Sequence, residues 1–156
     1  MALLNNRLGF TLIELVVVIA LIGILSVSVV VMSVNFSKTN ITVVAQKIRS
    51  DIEYARSLAM TKKGTTFGAF FDDANDEYTV YESVVGTPIL DPLTKQSFLE
   101  DFSKWSSVTI TGGDYTVEFN RVGVPTTGGG GSVQITDGST TKTIAVTAGT
   151  GKVSVY

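Results

Sequence analysis

The chain has no cysteine and no histidine. Without cysteine there is no disulfide framework and no thiol chemistry, and without either residue the usual zinc sites are excluded. The missing histidine also removes the commonest general base, and no serine stands in a Gly-x-Ser-x-Gly elbow. Carboxylate pairs can do acid–base work, but this sequence does not bring two of them to one cleft, so no catalytic residue and no enzyme activity are expected. The run Gly128–Gly131 is not followed by Gly-Lys-Ser/Thr and is not a phosphate loop. Basic residues are sparse as well. The formal charge is −2, and only Arg121, Lys142 and Lys152 follow Lys104, which argues against a nucleic-acid partner held by phosphate contacts. No cofactor and no metal are called for.

What the chain does have is an apolar run from Leu8 to about Val34 in which Glu14 is the only charge. About 25 helical residues at roughly 1.5 Å each reach roughly 37 Å, against a hydrocarbon core of about 30 Å. A carboxylate within such a segment costs about 2.5–3.5 kcal/mol on insertion scales, so it calls for a function. Cutting the Gly9–Phe10 bond would free an amine on Phe10, one helical turn from Glu14. An ordinary secretory signal has an apolar core of about 7–15 residues with the cut after it. Here the apolar stretch is longer than that.

Gly9-Phe10-Thr11-Leu12-Ile13-Glu14 followed by an apolar helix resembles the class III signal sequence of type IV pilins and type II secretion pseudopilins. The resemblance implies cleavage after Gly9 by a prepilin peptidase and N-methylation of Phe10. It also implies assembly into a helical filament with other pilins or pseudopilins on an inner-membrane platform, Glu14 facing the Phe10 amine of a neighbouring subunit. Single-pass insertion in a bacterial inner membrane, with the C-terminal part in the periplasm, follows from the same likeness. Arg7 before the helix agrees with that orientation under the positive-inside rule, although Lys38 lies just beyond the other end.

The expected organisation is a leader at 1–9, a transmembrane and filament-core helix at 10–34, an amphipathic stem at 35–63 and a β-rich periplasmic domain at 64–156. Without the leader and the membrane helix about 120 residues remain, enough for a small core. Gly23 interrupts the apolar helix, and no proline stands near Val27–Val31; major type IV pilins often carry one there. In the stem, Ile41, Val44, Ala45, Ile48, Ile52, Ala55 and Ala59 recur at three and four and share one face. Lys47, Arg49, Asp51, Glu53 and Arg56 lie mostly on the other, with Arg56 expected to cap the stem or pair with Asp51 or Glu53. Lys62-Lys63-Gly64 is a C-terminal stop. Strands are expected at Thr66–Phe71 paired with Glu77–Glu82, at Val108–Ile110 paired with Tyr115–Phe119, at Val133–Ile135 paired with Thr143–Val146, and at Lys152–Val155. Phe98–Phe102 reads as a short helical turn or a bridging strand, and Thr126–Gly131 as a flexible loop.

One long helix followed by short strands is an α+β pattern, expected as a pilin-like lollipop, with the helix packed on an antiparallel β-sheet domain. The stem from Ile48 to Ala59, then Phe119-Asn120-Arg121-Val122-Gly123 and Gly151-Lys152-Val153, resemble the H-type minor pseudopilins and their FimT-like pilus relatives. That likeness implies a structural subunit of a type II secretion pseudopilus. The alternatives are a minor pilin of a type IV pilus, used for adhesion, twitching or DNA uptake, and a membrane-tethered binding module that never polymerises. Asp73, Asn75 and Glu77 are spaced like the start of a calcium loop, but Tyr78 stands where the loop needs glycine. An exposed acidic hairpin tip is the expectation there.

Overall fold

In the computed structural model of the chain the described residues are 11–22, 41–62, 64–105 and 107–156. The chain divides into two units, Met1–Lys38 and Thr39–Tyr156. In the first, residues 12–22 form a helix, α1. In the second, a helix α2 (Ile41–Thr61) is followed, among the described residues, by nine strands. The result is a helical N-terminal region and an antiparallel β domain, an α+β fold.

Helix α2 buries Ile41, Val44, Ala45, Ile48, Ile52, Ala55 and Ala59, the seven positions that the three-and-four spacing puts on one face. Ile48 and Ile52 are fully buried, each stabilising by roughly 1.5–3 kcal/mol over exposure. On the far side Arg49 and Glu53 pair one turn apart at 3.0 Å. The helix ends as Lys62 N–H reaches Leu58 O at 2.8 Å and Gly64 turns to φ +92.

The strands are β1 (Phe67–Asp72), β2 (Glu77–Glu82), β3 (Leu99–Asp101), β4 (Thr109–Thr111), β5 (Tyr115–Phe119), β6 (Pro125–Thr127), β7 (Ser132–Thr136), β8 (Thr141–Val146) and β9 (Val153–Val155). They form two antiparallel sheets, ordered β3-β2-β1-β5-β6 and β4-β7-β8-β9. Phe67, Ala69, Phe71, Val80, Val117 and Phe119 of the first and Ile110, Val133, Ile135, Ile144 and Val146 of the second join the buried stripe of α2 in one core. Phe71 stacks on Tyr78 at 5.1 Å, and Phe102 stands edge-on to Tyr78 at 5.8 Å.

Two expectations are corrected. Val108–Ile110 does not pair with Tyr115–Phe119: β4 pairs with β7, and β5 with β1 and β6. The N–H of Ile110 on β4 is taken by Asp76 Oδ1 at 2.7 Å. The five residues of β5 complete the ladder of β1 instead, with Phe67 opposite Phe119 and Phe71 opposite Tyr115. The segment Thr126–Gly131 is not a free loop either. Its start belongs to β6, and its glycines are packed: Tyr115 Oη donates to Gly128 O at 2.8 Å, and Gly130 N–H donates to Val146 O at 2.8 Å. A Cβ on Gly128 would overlap Thr116 O. Glycine serves close approach there. Burial pushes the Tyr115 phenol up to about 12.

Phe98–Phe102 satisfies both readings, since β3 runs into a 3-10 turn at Phe102–Lys104 with Asp101 as its cap. In the β1–β2 turn Asp72 Oδ1 accepts the N–H groups of Ala74 and Asn75, each at 3.0 Å, and Asp73 N–H donates to Asp114 Oδ1 at 3.0 Å. The Asn75 side chain and these N–H groups hold the Asp72 carboxyl below its usual value. These acids serve as turn caps and as a tie between strands.

Ile52→Ala is expected to lower stability by about 2–5 kcal/mol, the range for a truncated buried aliphatic side chain. Val43→Ala, on the exposed side of the same helix, should change it by less than about 0.5 kcal/mol. Urea unfolding of the two variants side by side checks the seam.

Candidate assembly site

The N-terminal motif is described from Thr11 onward. Thr11 caps α1: its Oγ1 accepts the N–H of Glu14 at 3.3 Å and its carbonyl accepts that of Leu15 at 3.2 Å. Thr11-Leu12-Ile13-Glu14 thus has the spacing of a capping box, which places the Glu14 carboxylate in the first turn, where the helix dipole favours negative charge. The expected cleavage pair, Gly9 and Phe10, lies outside the described residues. So do the rest of the leader, Gly23, Val27–Val31, residues 35–40 of the expected stem, and Lys63.

Every residue from 11 to 22 is exposed, and Glu14 is the only charge among them. Leu12 is 81 % exposed and Ile13 69 %. A helix that is apolar all round belongs in lipid or among other helices, since it has no polar face to turn to water. Among the described residues no helix is long and apolar enough to cross a membrane. Of the span expected at 10–34, Phe10 and residues 23–34 lie outside the described residues.

The second unit has two polar locks on α2. Arg56 neither caps the helix nor pairs with Asp51 or Glu53. Its Nε donates to Gly123 O at 2.8 Å and its Nη2 to Thr150 O at 3.0 Å. Both carbonyls are presented by tight turns. In one, Asn120 Oδ1 accepts the N–H groups of Val122 and Val124, each at 3.0 Å, and Gly123 takes φ +76. In the other, Gly151 takes φ +65, and a Cβ on it would run into Gly123 O. The motif residues Arg56, Asn120, Gly123 and Gly151 therefore converge in one place. Glu53 is occupied by Arg49, and Asp51 by Lys47.

The other lock was not visible in the sequence. Lys47 Nζ lies 2.7 Å from Asp51 Oδ2, 2.9 Å from Glu100 Oε1 and 3.3 Å from Tyr78 Oη. Tyr78 Oη donates to Asp51, and Lys104 pairs with Glu100. Only the Lys47–Asp51 spacing of four was a local signal; Tyr78, Glu100 and Lys104 arrive from β2, β3 and the 3-10 turn. Burial, with the Asp51 charge beside it, holds the Tyr78 phenol well above its usual value. Burial and the neighbouring Lys47 lower the Lys104 ammonium. Among the described residues no group of three acids is arranged to share a metal ion.

These features define a class: a pilin-like chain with a capped, carboxylate-bearing apolar helix and a separate α-on-β unit. Residues 4–32 match the prokaryotic N-terminal methylation motif, and residues 44–150 match the type II transport protein GspH. The second match covers well over half of the chain, and the chain belongs to the GspH family, whose members are structural pseudopilins. Among curated proteins no match is found, and none among solved structures.

Replacing Arg56 by Ala leaves two turn carbonyls without their donor and should cost roughly 1–3 kcal/mol. Arg56→Lys should recover only part of it, because an ammonium lacks the fork that spans both carbonyls. Calorimetric melting temperatures check the order wild type, Lys, Ala. The Tyr78 phenol has a raised folded-state value, so its contribution is complete below the ordinary value of 10.0 and is lost as pH rises through the folded one. Stability should fall as pH climbs above about 10, and less steeply in Tyr78→Phe, as read by urea midpoints against pH.

Proposed function

We propose that the chain is a minor pseudopilin, a structural subunit of a type II secretion pseudopilus that supports protein export across the outer membrane. The observation that carries this reading is the pairing of a methylation-motif match at 4–32 with a GspH match at 44–150. The exposed apolar surface of α1 and its single carboxylate at Glu14 support it.

In this reading a prepilin peptidase cuts after Gly9, and Phe10 becomes the methylated N-terminus. The precursor sits in the inner membrane with its β domain in the periplasm, arranged as the pilin lollipop. An assembly platform then moves the apolar helix from lipid into a filament of pilin-like subunits. There Glu14 is neutralised by the Phe10 amine of a neighbour. Leaving one partner of a buried pair without the other costs about 3–5 kcal/mol, enough to select the correct axial register. The chain acts by shape and position and catalyses nothing.

Glu14→Ala should leave cleavage at Gly9 intact and impair assembly. Filament recovery and N-terminal processing, measured on the same cells, check this. Normal filaments from the variant would sink the pairing.

A further inference from the structure

The five strands β3-β2-β1-β5-β6 contain no lysine or arginine. Alternation turns Phe67, Ala69 and Phe71 of β1 into the core and Phe70 out to the opposite face of the sheet. A groove of about 370 Å³ opens on that outer face, within the roughly 300–1,000 Å³ of ordinary binding clefts. Phe70, Thr79 and Leu99 of the sheet line it, with Val85 and Pro88 of the segment after β2, and with Glu77 as its charged residue. Val85 and Leu99 are 43 % and 50 % exposed. The register sets Glu77 between Asp72 of β1 and Asp101 of β3, three carboxylates in one cross-strand row. Like charges directly opposite each other destabilise a sheet. Asp72 and Asp101 accept N–H groups of their own turns. The Glu77 side chain has no hydrogen-bond or ion-pair partner among the described residues.

The complement of this groove stands on the same chain. Arg49 is paired with Glu53, and Arg56 is held by two carbonyls. Arg121 is exposed, with no ion pair and no side-chain hydrogen bond among the described residues. Val122 beside it is 72 % exposed. The turn that presents them is fixed from behind: Asn120 N–H donates to Val124 O at 3.0 Å, Gly123 N–H donates to Asn120 O at 2.9 Å, and Arg56 holds Gly123 O. A tip already held in shape loses little freedom on docking. Its own groove is out of reach. Strand β5 runs from Tyr115, opposite Phe71, to Phe119, opposite Phe67. The turn after Phe119 therefore leaves the sheet at the end away from the carboxylate row, and the five residues of β5 span roughly 17 Å.

We propose that the groove on the outer face of the first sheet receives the Arg121–Val122 turn of a second copy of the chain. Arg121 reaches Glu77 across the face of Phe70, and Val122 packs on the apolar wall made by Val85 and Leu99. A guanidinium suits this place because it stacks on an aromatic ring and pairs with a carboxylate at once. It also neutralises the middle of a row of acids for which the sheet supplies no cation. The two surfaces are different patches at opposite ends of one sheet, so the contact is heterologous and passes from copy to copy. The inference rests on these two surfaces and holds whether or not the chain enters a pseudopilus.

The chain has no cysteine, so introduced thiols report alone. Two differently tagged full-length copies are made in one cell, Leu99→Cys in the first and Val122→Cys in the second, and whole cells are treated with a short, membrane-permeant bifunctional thiol reagent. A mixed-tag dimer should form, and neither variant should crosslink to itself. Glu77→Lys in the Leu99→Cys copy should cut the yield by about tenfold, because it sets two cations against each other. Adding Arg121→Glu to the Val122→Cys copy should restore it. The loss does not come from misfolding: Glu77→Lys puts opposite charges across from each other at Asp101 and should melt no lower than wild type. Three results would overturn the proposal: no mixed-tag dimer, a yield that Glu77→Lys leaves unchanged, or a Val122→Cys copy that crosslinks to itself as strongly. Methylation of Phe10, scored on the same cells, keeps the two readings apart. An unprocessed chain that still gives the charge-dependent crosslink would discard the filament role and keep the contact.

Discussion

The β-rich unit depends on one apolar stripe. Seven positions of α2 at three-and-four spacing supply the surface on which both sheets close, and every one of them is buried. The two sheets share this core; the Ile110 N–H of β4 donates to the Asp76 carboxylate, and the Asp73 backbone N–H donates to the Asp114 carboxylate. The polar locks sit on the flanks of the stripe. Arg56 fixes the C-terminal half of the helix to two turns, and Lys47 fixes the N-terminal half to β2 and β3. Hydrophobic burial supplies most of the stability, and the locks supply the register.

The first unit obeys the opposite rule. Residues 11–22 are all exposed and offer no polar face. One sequence thus carries two helices of different surface pattern. The one-sided α2 completes the core of the β-rich unit, whereas α1 carries apolar side chains all round. Glu14 is the only charge of α1 and stands in its first turn, where the helix N-terminus favours a negative charge. Thr11 completes that first turn by accepting the Glu14 N–H.

Much of this was legible in the sequence, for identifiable reasons. The stripe of α2 follows from periodicity alone, and the hairpin of β1 and β2 from β-prone residues on both sides of a polar turn. Both depend on contacts close in sequence. The errors came where contacts are distant. Tyr115–Phe119 looked like the partner of Val108–Ile110 because they are neighbours in sequence, yet β5 belongs with β1, more than forty residues earlier. Gly128 and Gly131 read as freedom because glycine has no side chain, whereas they are there to let Thr116 and Tyr115 approach. Arg56 looked like a partner for nearby acids. Its true acceptors are backbone carbonyls, which no residue type announces. The Lys47 cluster was hidden because its members come from four separate elements.

The central claim, that this chain enters the pilin pathway, is tested most directly at its N-terminus. Mass spectrometry of the membrane-extracted protein, from cells with and without prepilin peptidase, reads the terminus itself. The account predicts an N-methylated Phe10 that appears only when the peptidase is present. A chain that keeps Met1 and its leader in both strains would contradict it and leave a β domain behind an apolar anchor.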